Sequence, residues 1–108
     1  MSTAQDQLAV FLNIDRKVKP ALDRLIDLAR SDTGQSARAA NFLLACWNGD
    51  DWGHFQIADL FAVDREVAAD MTIIFEFLGQ HEGAVYFDTL GPSYRDQMGV
   101  LVERWRPE

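Results

Sequence analysis

Residues 34–48 read GQSARAANFLLACWN, and this stretch decides the fold. Its apolar residues recur at helical spacing and share one helix face: Ala39, Phe42, Leu43, Cys46 and Trp47. Asp32 or Thr33 can cap the N-terminus, and Gln35 is placed as a capping-box partner of Asp32. Asn48–Gly49 is a typical helix stop. The pattern therefore predicts a helix over residues 34–48.

The segment before this helix predicts two shorter helices. The second and firmer one opens at Pro20 and has four apolar residues on one face: Leu22, Leu25, Ile26 and Ala29. Leu8, Phe11 and Leu12 form one apolar stripe, which predicts a weak helix over residues 4–14. Pro20 suits a first helical turn, because its missing N–H would have no partner there. Residues 1–19 are therefore predicted to be an N-terminal arm or weak helix, and residues 20–108 a single helical domain.

Three helices and two loops are predicted after residue 48. Residues 49–56 form a loop, residues 57–62 a short helix, and residues 64–79 a longer helix at the centre of the bundle. The expected buried stripe of that longer helix is Val67, Met71, Ile74, Phe75 and Leu78, with Ile73 and Phe77 on other sides. Residues 80–91 predict an irregular loop or one short strand near 84–88, and a last helix starts at Pro92 or Ser93. The fold class is an all-α, compact bundle of four to five helices.

The formal charge of -7 is unevenly distributed along the 108 residues. The first 48 residues carry one excess positive charge, and residues 89–108 are balanced. Residues 49–88 hold nine carboxylates against Arg65 alone. A surface with that charge repels phosphate and attracts basic surfaces. Direct binding to nucleic acid is therefore not expected, whereas a solvated acidic face or a protein-binding face is.

The composition argues against several kinds of site. Cys46 is the only cysteine, so neither a disulfide nor a cysteine-rich metal site can form within one chain. No glycine-rich phosphate loop is present, and no nucleophile has a base at suitable spacing. The N-terminus has no signal-like run, and no apolar stretch approaches the ~20 residues of a membrane helix. We expect a cytoplasmic, non-enzymatic protein without a metal, a cofactor or a membrane partner.

One cluster of chemically capable side chains falls in the predicted loop: Trp47, Asp50, Asp51, Trp52, His54 and Phe55. A carboxylate beside an imidazole can perform acid–base work or hold a metal. No second histidine lies at ligand spacing, because His81 is separated by a whole helix. The cluster therefore favours a capped loop anchored by two tryptophans over a partner-binding loop, and both over catalysis.

Residues 57–71 have the apolar spacing of a helix-turn-helix. The residues expected to pack its two helices together are Ile57, Phe61, Val63, Ala68 and Met71. Ala62 occupies the turn position usually held by glycine, and the would-be recognition helix carries Asp64, Glu66 and Asp70 against one arginine. Those carboxylates would face DNA phosphates unfavourably. A structural corner is favoured, with a protein-docking surface or a DNA reader as alternatives.

Six short blocks, in this order and spacing, resemble one family: Ala21–Leu25, Asp32–Ser36, Phe42–Asn48, Asp59–Asp64, Asp88–Gly91 and Trp105–Pro107. This is a family of small bacterial proteins, a domain of unknown function associated with integrative and conjugative elements of proteobacteria. The resemblance covers about residues 20–107 and brings no catalytic or binding residues with it. It implies an accessory protein of a mobile genetic element.

The leading functional hypothesis is a protein-interaction module that meets its partner through acidic residues. Its finer form is an inhibitor that occupies the nucleic-acid groove of a host defence complex, and the alternative is a helix-turn-helix transcriptional regulator. Self-association is left open, because Trp52, Phe55 and Phe61 add apolar surface to a small core. The candidate partner-binding residues are Asp50, Asp51, Trp52, Asp59, Asp64, Glu66 and Asp70.

Overall fold

The computed structural model describes the backbone of residues 4–52, 55–80 and 85–105, and the side chains of residues 16–47, 55–80 and 85–105. Four α-helices account for most of it: α1 (Ala4–Ala29), α2 (Gly34–Trp52), α3 (Arg65–Gln80) and α4 (Ser93–Trp105). Two 3₁₀ helices, Ile57–Ala62 and Phe87–Thr89, lie in the connections. The described residues contain no strand, so the all-α bundle is confirmed, and residues 85–88 take the irregular alternative, while residue 84 lies outside the described part of the chain.

Helix α1 is continuous from Ala4 to Ala29, so the predicted start of a helix at Pro20 is wrong. Pro20 lies inside α1 and removes the N–H that would bond the carbonyl of Arg16. Both residues are exposed, so water can bond that carbonyl instead. The separate domain boundary between residues 19 and 20 stays a prediction.

Helix α2 begins at Gly34 with a capping box that differs in its partners from the predicted one. The Ser36 backbone N–H donates to Thr33 Oγ1 at 3.1 Å, and the Thr33 N–H donates to Ser36 Oγ at 3.1 Å. Thr33 is therefore the cap and Ser36 its reciprocal partner, which explains how a fully buried serine is satisfied. Gln35, expected to face Asp32, bonds to Asp64 instead.

The predicted end of α2 at Asn48–Gly49 is also wrong, because the helix continues to Trp52. A glycine inside a helix costs only about 1 kcal/mol relative to alanine, which other interactions can outweigh. The predicted loop over residues 49–56 is shortened accordingly, and residues 53 and 54 lie outside the described part of the chain.

Helix α1 forms the centre of the core and packs against both α2 and α3, while α4 packs against α2. Its buried residues follow helical spacing along one face: Val18, Ala21, Leu22, Leu25, Ile26 and Ala29. The other large, fully buried side chains come from the remaining elements: Leu43 and Leu44 of α2, Met71, Ile74 and Phe77 of α3, Phe87, and Met98 and Leu101 of α4. The expectation that α3 is central is therefore wrong, because α1 makes contacts on both sides.

Helix α4 is tied to the end of α1 by hydrogen bonds. The Trp105 indole N–H donates to the Ala29 carbonyl at 2.7 Å, and the Arg104 guanidinium donates to the Ser31 carbonyl at 2.9 Å. The two acceptor carbonyls lie at the C-terminal end of α1 and just beyond it, where helix carbonyls have no intrahelical partner. Arg104 therefore helps to hold α4 against the end of α1. None of the helices in the described residues is both long and apolar enough to cross a membrane.

Candidate functional site

Asp70, one of the predicted partner-binding acids, is buried on α3 and paired with α1. Its two carboxylate oxygens accept hydrogen bonds from Arg24 Nε at 2.9 Å and Arg24 Nη2 at 2.8 Å. This two-point geometry is the strong form of an arginine–carboxylate pair, and it raises the pKa of Arg24. The charge of Asp70 is therefore paired with Arg24 within the protein, and this pair holds α1 against α3.

The other described acids of the predicted site differ in their exposure and in the side chains that they contact. Asp59 is half-buried, and its Oδ1 lies 4.0 Å from Arg38 Nε of α2. Asp64 is exposed, and its side chain and backbone N–H both bond to Gln35, at 3.2 and 2.7 Å. Glu66 is exposed in the first turn of α3. The side chains of Asp50, Asp51 and Trp52 lie outside the described residues.

The acidic stretch is therefore partly neutralised by Arg24 and Arg38, which come from the first 48 residues of the chain. Counting charges along the sequence misses this, because Arg24 and Arg38 lie on helices that only the fold brings next to Asp70 and Asp59. Asp64 and Glu66 remain exposed to solvent. The role of these acids in binding a partner stays a prediction. The negative charge that they offer to a partner lies on fewer residues than the sequence count indicates.

The helix-turn-helix packing expected over residues 57–71 is not what the structure contains. Its first element is a six-residue 3₁₀ helix with no buried residue. Val63 and Met71 are buried as expected, but Ile57 and Phe61 point into solvent. A helix-turn-helix needs an α-helix packed across its recognition helix. The corner before α3 lacks that element.

Three large apolar side chains on this side of the molecule are exposed instead of buried. Ile57 is 65% exposed, Phe61 85% and Phe75 63%. Ile57 and Phe61 lie on the first 3₁₀ helix, and Phe75 of α3 lines the same cleft as Ile57. We call these three residues the apolar patch. Single exposed apolar residues are common, but adjoining large ones mark interaction surfaces.

A cleft of about 180 Å³ opens beside the apolar patch. It is lined by residues from α2, the 55–62 segment and α3: Phe42, Phe55, Ile57, Leu60, Met71, Thr72 and Phe75. Phe42 and Phe55 form one wall, with their rings edge to face and 5.3 Å between centroids. Ile57 and Phe75 thus belong to both the patch and the cleft, which makes this corner a candidate site.

The apolar pattern predicts that Phe75 lies in the buried stripe of α3 and that Phe77 lies outside it. The reverse holds, since Phe77 is fully buried and Phe75 is exposed. At 3.6 residues per turn, Phe77 lies about 60° from Ile74 around the helix and Phe75 about 100°. The angular position relative to Ile74 therefore contained the signal that would have identified Phe75.

Of the predicted cluster of tryptophans, acids and His54, the structure describes the side chains of Trp47 and Phe55. Trp47 stacks on Phe87 with a centroid distance of 6.2 Å and meets Tyr86 edge to face at 5.8 Å. Phe55 packs on Phe42. Among the described residues, Trp47 contacts the connection between α3 and α4, whereas the sequence predicts that it anchors the 49–56 loop. His54 lies outside the described part of the chain, and within that part no three possible ligands come together to hold a metal.

Cys46 lies half-buried among apolar neighbours. Burial raises the pKa of its thiol from 9.0 to about 12. Because the thiolate is the reactive form, a thiol with this pKa is a poor nucleophile at neutral pH. The side chain therefore acts as a small apolar group, as its position in the helical stripe predicts.

This raised pKa predicts a loss of stability in alkali. The unfolded thiol ionises from about pH 9, whereas the folded thiol stays protonated up to about pH 12. Its contribution is fully present below pH 9 and falls by about 1.4 kcal/mol for each pH unit above it. Burial and the hydrogen bond to Asp23 raise the pKa of Tyr94 from 10.0 to about 12, which adds a second loss above pH 10.

Urea unfolding at pH 8, 9, 10 and 11 measures this loss. The variant Cys46→Ala is expected to lose less stability than the parent chain between pH 9 and 10, because the thiol titrates there in the unfolded parent and the tyrosine contributes equally in both proteins. Equal losses in the two proteins over that interval would show that the thiol is not shifted.

The chain matches a family over most of its length, although no curated protein and no solved structure shows significant similarity to it. The match agrees with the resemblance over about residues 20–107 seen in the six sequence blocks. The bacterial origin and the link to conjugative elements stay predictions from that resemblance. Residues 19–106 match the model of a family of unknown function, DUF7673, and the chain therefore belongs to that family.

Proposed function

We propose that this chain is a non-enzymatic protein-interaction module that binds a basic partner protein. The observation that carries the proposal is the apolar patch, whose three large side chains are exposed and of which two, Ile57 and Phe75, line an apolar cleft. Large aromatic and aliphatic side chains that lie beside a pocket are typical anchors of protein interfaces, because their burial on binding removes much apolar area from water.

The charges around the patch favour a basic partner. Residues 49–88 carry nine carboxylates and one arginine. Asp64 and Glu66 are exposed, and both follow Phe61 of the patch closely in the sequence. The guanidinium of Arg65 donates to the carbonyls of Leu60 and Val63, at 2.7 and 2.9 Å. That cation is therefore directed at the backbone of the 3₁₀ helix. Complementary charge steers association and excludes acidic partners.

The finer hypothesis, an inhibitor that fills the nucleic-acid groove of a host defence complex, stays a prediction. Such a mimic needs a row of free carboxylates in place of phosphates. Asp59 and Asp70 lie against arginines of the same chain, which reduces the number available. The apolar patch supports a protein-binding role without requiring phosphate mimicry.

The non-enzymatic part of the proposal is supported by the chemistry of the cleft. An active site is expected to combine a pocket with convergent polar groups. The cleft is lined by apolar side chains and by one threonine, Thr72, whose hydroxyl donates to the Ala68 carbonyl at 2.8 Å. The thiol of Cys46 is held protonated.

Site-specific photo-crosslinking in cells of the native host tests the proposal. The photoreactive residue p-benzoylphenylalanine replaces Phe61, whose side chain is too exposed to support the core. The matched control carries it in place of Val100, a half-exposed residue of α4. Light is expected to give a discrete adduct with a basic protein from position 61 and none from position 100. No adduct from position 61, or the same adducts from both positions, would contradict the proposal.

A further inference from the structure

The size of the cleft limits what can enter it. Its volume is about 180 Å³, and an apolar cavity of about 150 Å³ is known to hold one benzene ring. The cleft therefore has room for one aromatic or leucine-sized side chain, and not for a whole helix or a large ligand.

The lining of the cleft restricts the chemistry of this occupant to an apolar group. Thr72 supplies its one hydroxyl, and that hydroxyl already bonds to the Ala68 carbonyl within α3. A polar ligand would lose its water without gaining a hydrogen bond from the side chains that line the cleft. An apolar side chain gains from burial against Phe42, Leu60 and Met71.

The charged residues next to the cleft determine which charge is favourable on the partner residues that flank the inserted side chain. Asp59 precedes Leu60, and the exposed Glu76 follows Phe75. Arg38 lies 4.0 Å from Asp59 and offsets its charge. Asp64, Glu66 and Glu76 are exposed and outnumber the remaining nearby cation, Arg65, whose guanidinium donates to the carbonyls of Leu60 and Val63. A lysine or arginine beside the inserted side chain would meet net negative charge at this rim.

We propose that the cleft binds one aromatic or leucine-sized side chain of a partner protein, on a segment that carries Lys or Arg next to it. This proposal rests on the proposed interaction function and adds to it the chemistry of the segment that is recognised. The apolar side chain supplies the affinity by filling the cleft, and the flanking cation supplies the charge preference at the rim.

The test uses synthetic peptides of eleven residues in a Gly-Ser background, titrated against the full chain by amide NMR. One peptide has Lys-Trp-Lys at its centre, a second has Lys-Ala-Lys, and a third has Glu-Trp-Glu. The first is expected to shift the amide signals around Leu60 and Phe75. The second and third are each expected to bind at least tenfold more weakly.

A blocking variant and its matched control locate the binding. Thr72 is exposed at the cleft, so Thr72→Trp fills the opening without entering the core. Val100→Trp adds the same side chain on α4, away from the cleft. The first variant is expected to bind the Lys-Trp-Lys peptide at least tenfold more weakly, and the second to bind it unchanged. Phe75→Ser, which removes one wall at an exposed position, provides the same test if Thr72→Trp does not fold.

The outcomes separate this proposal from the function on which it rests. Equal binding of the three peptides, or binding that Thr72→Trp leaves unchanged, would overturn the proposed recognition even where crosslinking at position 61 succeeds. A concentration-dependent dimer in sedimentation that Thr72→Trp abolishes would show that a second copy of the chain is the occupant, and would overturn it as well. Failure of crosslinking with a specific peptide response would instead count against the interaction function in cells.

Discussion

Replacing Phe87 with alanine is expected to lower the free energy of unfolding by about 3–5 kcal/mol, the usual range for removing a buried phenylalanine ring. Phe87 begins a three-residue 3₁₀ helix, and its side chain is fully buried. Its ring stacks on Trp47, so its removal leaves a cavity against α2. Urea unfolding followed by tryptophan fluorescence measures the loss, which corresponds to a fall in Tm of roughly 12 °C or more.

Tyr86 provides the matched control for this variant. It is the preceding residue and also contacts Trp47, but it is half exposed. Tyr86→Ala is expected to cost about 1 kcal/mol, the range of one aromatic pair. If both variants lost the same small amount, the connection between α3 and α4 would not be part of the core.

Replacing Arg24 with alanine is expected to cost about 3 kcal/mol, and more than replacing its partner Asp70. The Asp70 side chain is 12% exposed and the Arg24 side chain 59%. Removing the arginine leaves a carboxylate that water can barely reach, which is the expensive way to break a pair. Removing the aspartate leaves a guanidinium that water can solvate, so Asp70→Ala is expected to cost only about 1–2 kcal/mol.

Arg30→Ala supplies the control, because Arg30 is an exposed arginine next to the end of the same helix. Its loss is expected to change stability by less than about 0.5 kcal/mol. Unfolding of the two single variants and the double variant gives the coupling energy of the pair. A larger loss for Asp70→Ala than for Arg24→Ala would contradict the argument from unequal exposure.

The periodic apolar pattern was sufficient to predict the helical fold and much of the core. The stripe from Leu22 to Ala29 and the stripe with Phe42 and Leu43 are both buried as predicted. These positions could be predicted because helical spacing alone places them on one face. The end of each helix depends on small local preferences. Pro20 and Gly49 were both outweighed, so the bounds of α1 and α2 were predicted wrongly.

The candidate site was harder to predict, because it depends on contacts between distant segments. Asp70 meets Arg24 across 46 positions of sequence, so no local charge count could show that this acid is neutralised. The exposure of Ile57 and Phe61 follows from the 3₁₀ form of their segment, which leaves it without buried residues. Apolar spacing at Ile57 and Phe61 was compatible with a packed corner and did not distinguish it from an exposed patch.

The bonds between Gln35 and Asp64 bring the starting ends of α2 and α3 close together. Each of these ends carries the partial positive charge of a helix macrodipole, so their proximity is unfavourable unless an anion lies between them. Asp64 directly precedes α3, and its carboxylate accepts a hydrogen bond from Gln35 in the first turn of α2, so it places a negative charge near both helix starts. A change at Asp64 that improved a partner's fit would therefore also alter the balance of charge that holds the two helix starts together, so binding and folding constrain this residue jointly.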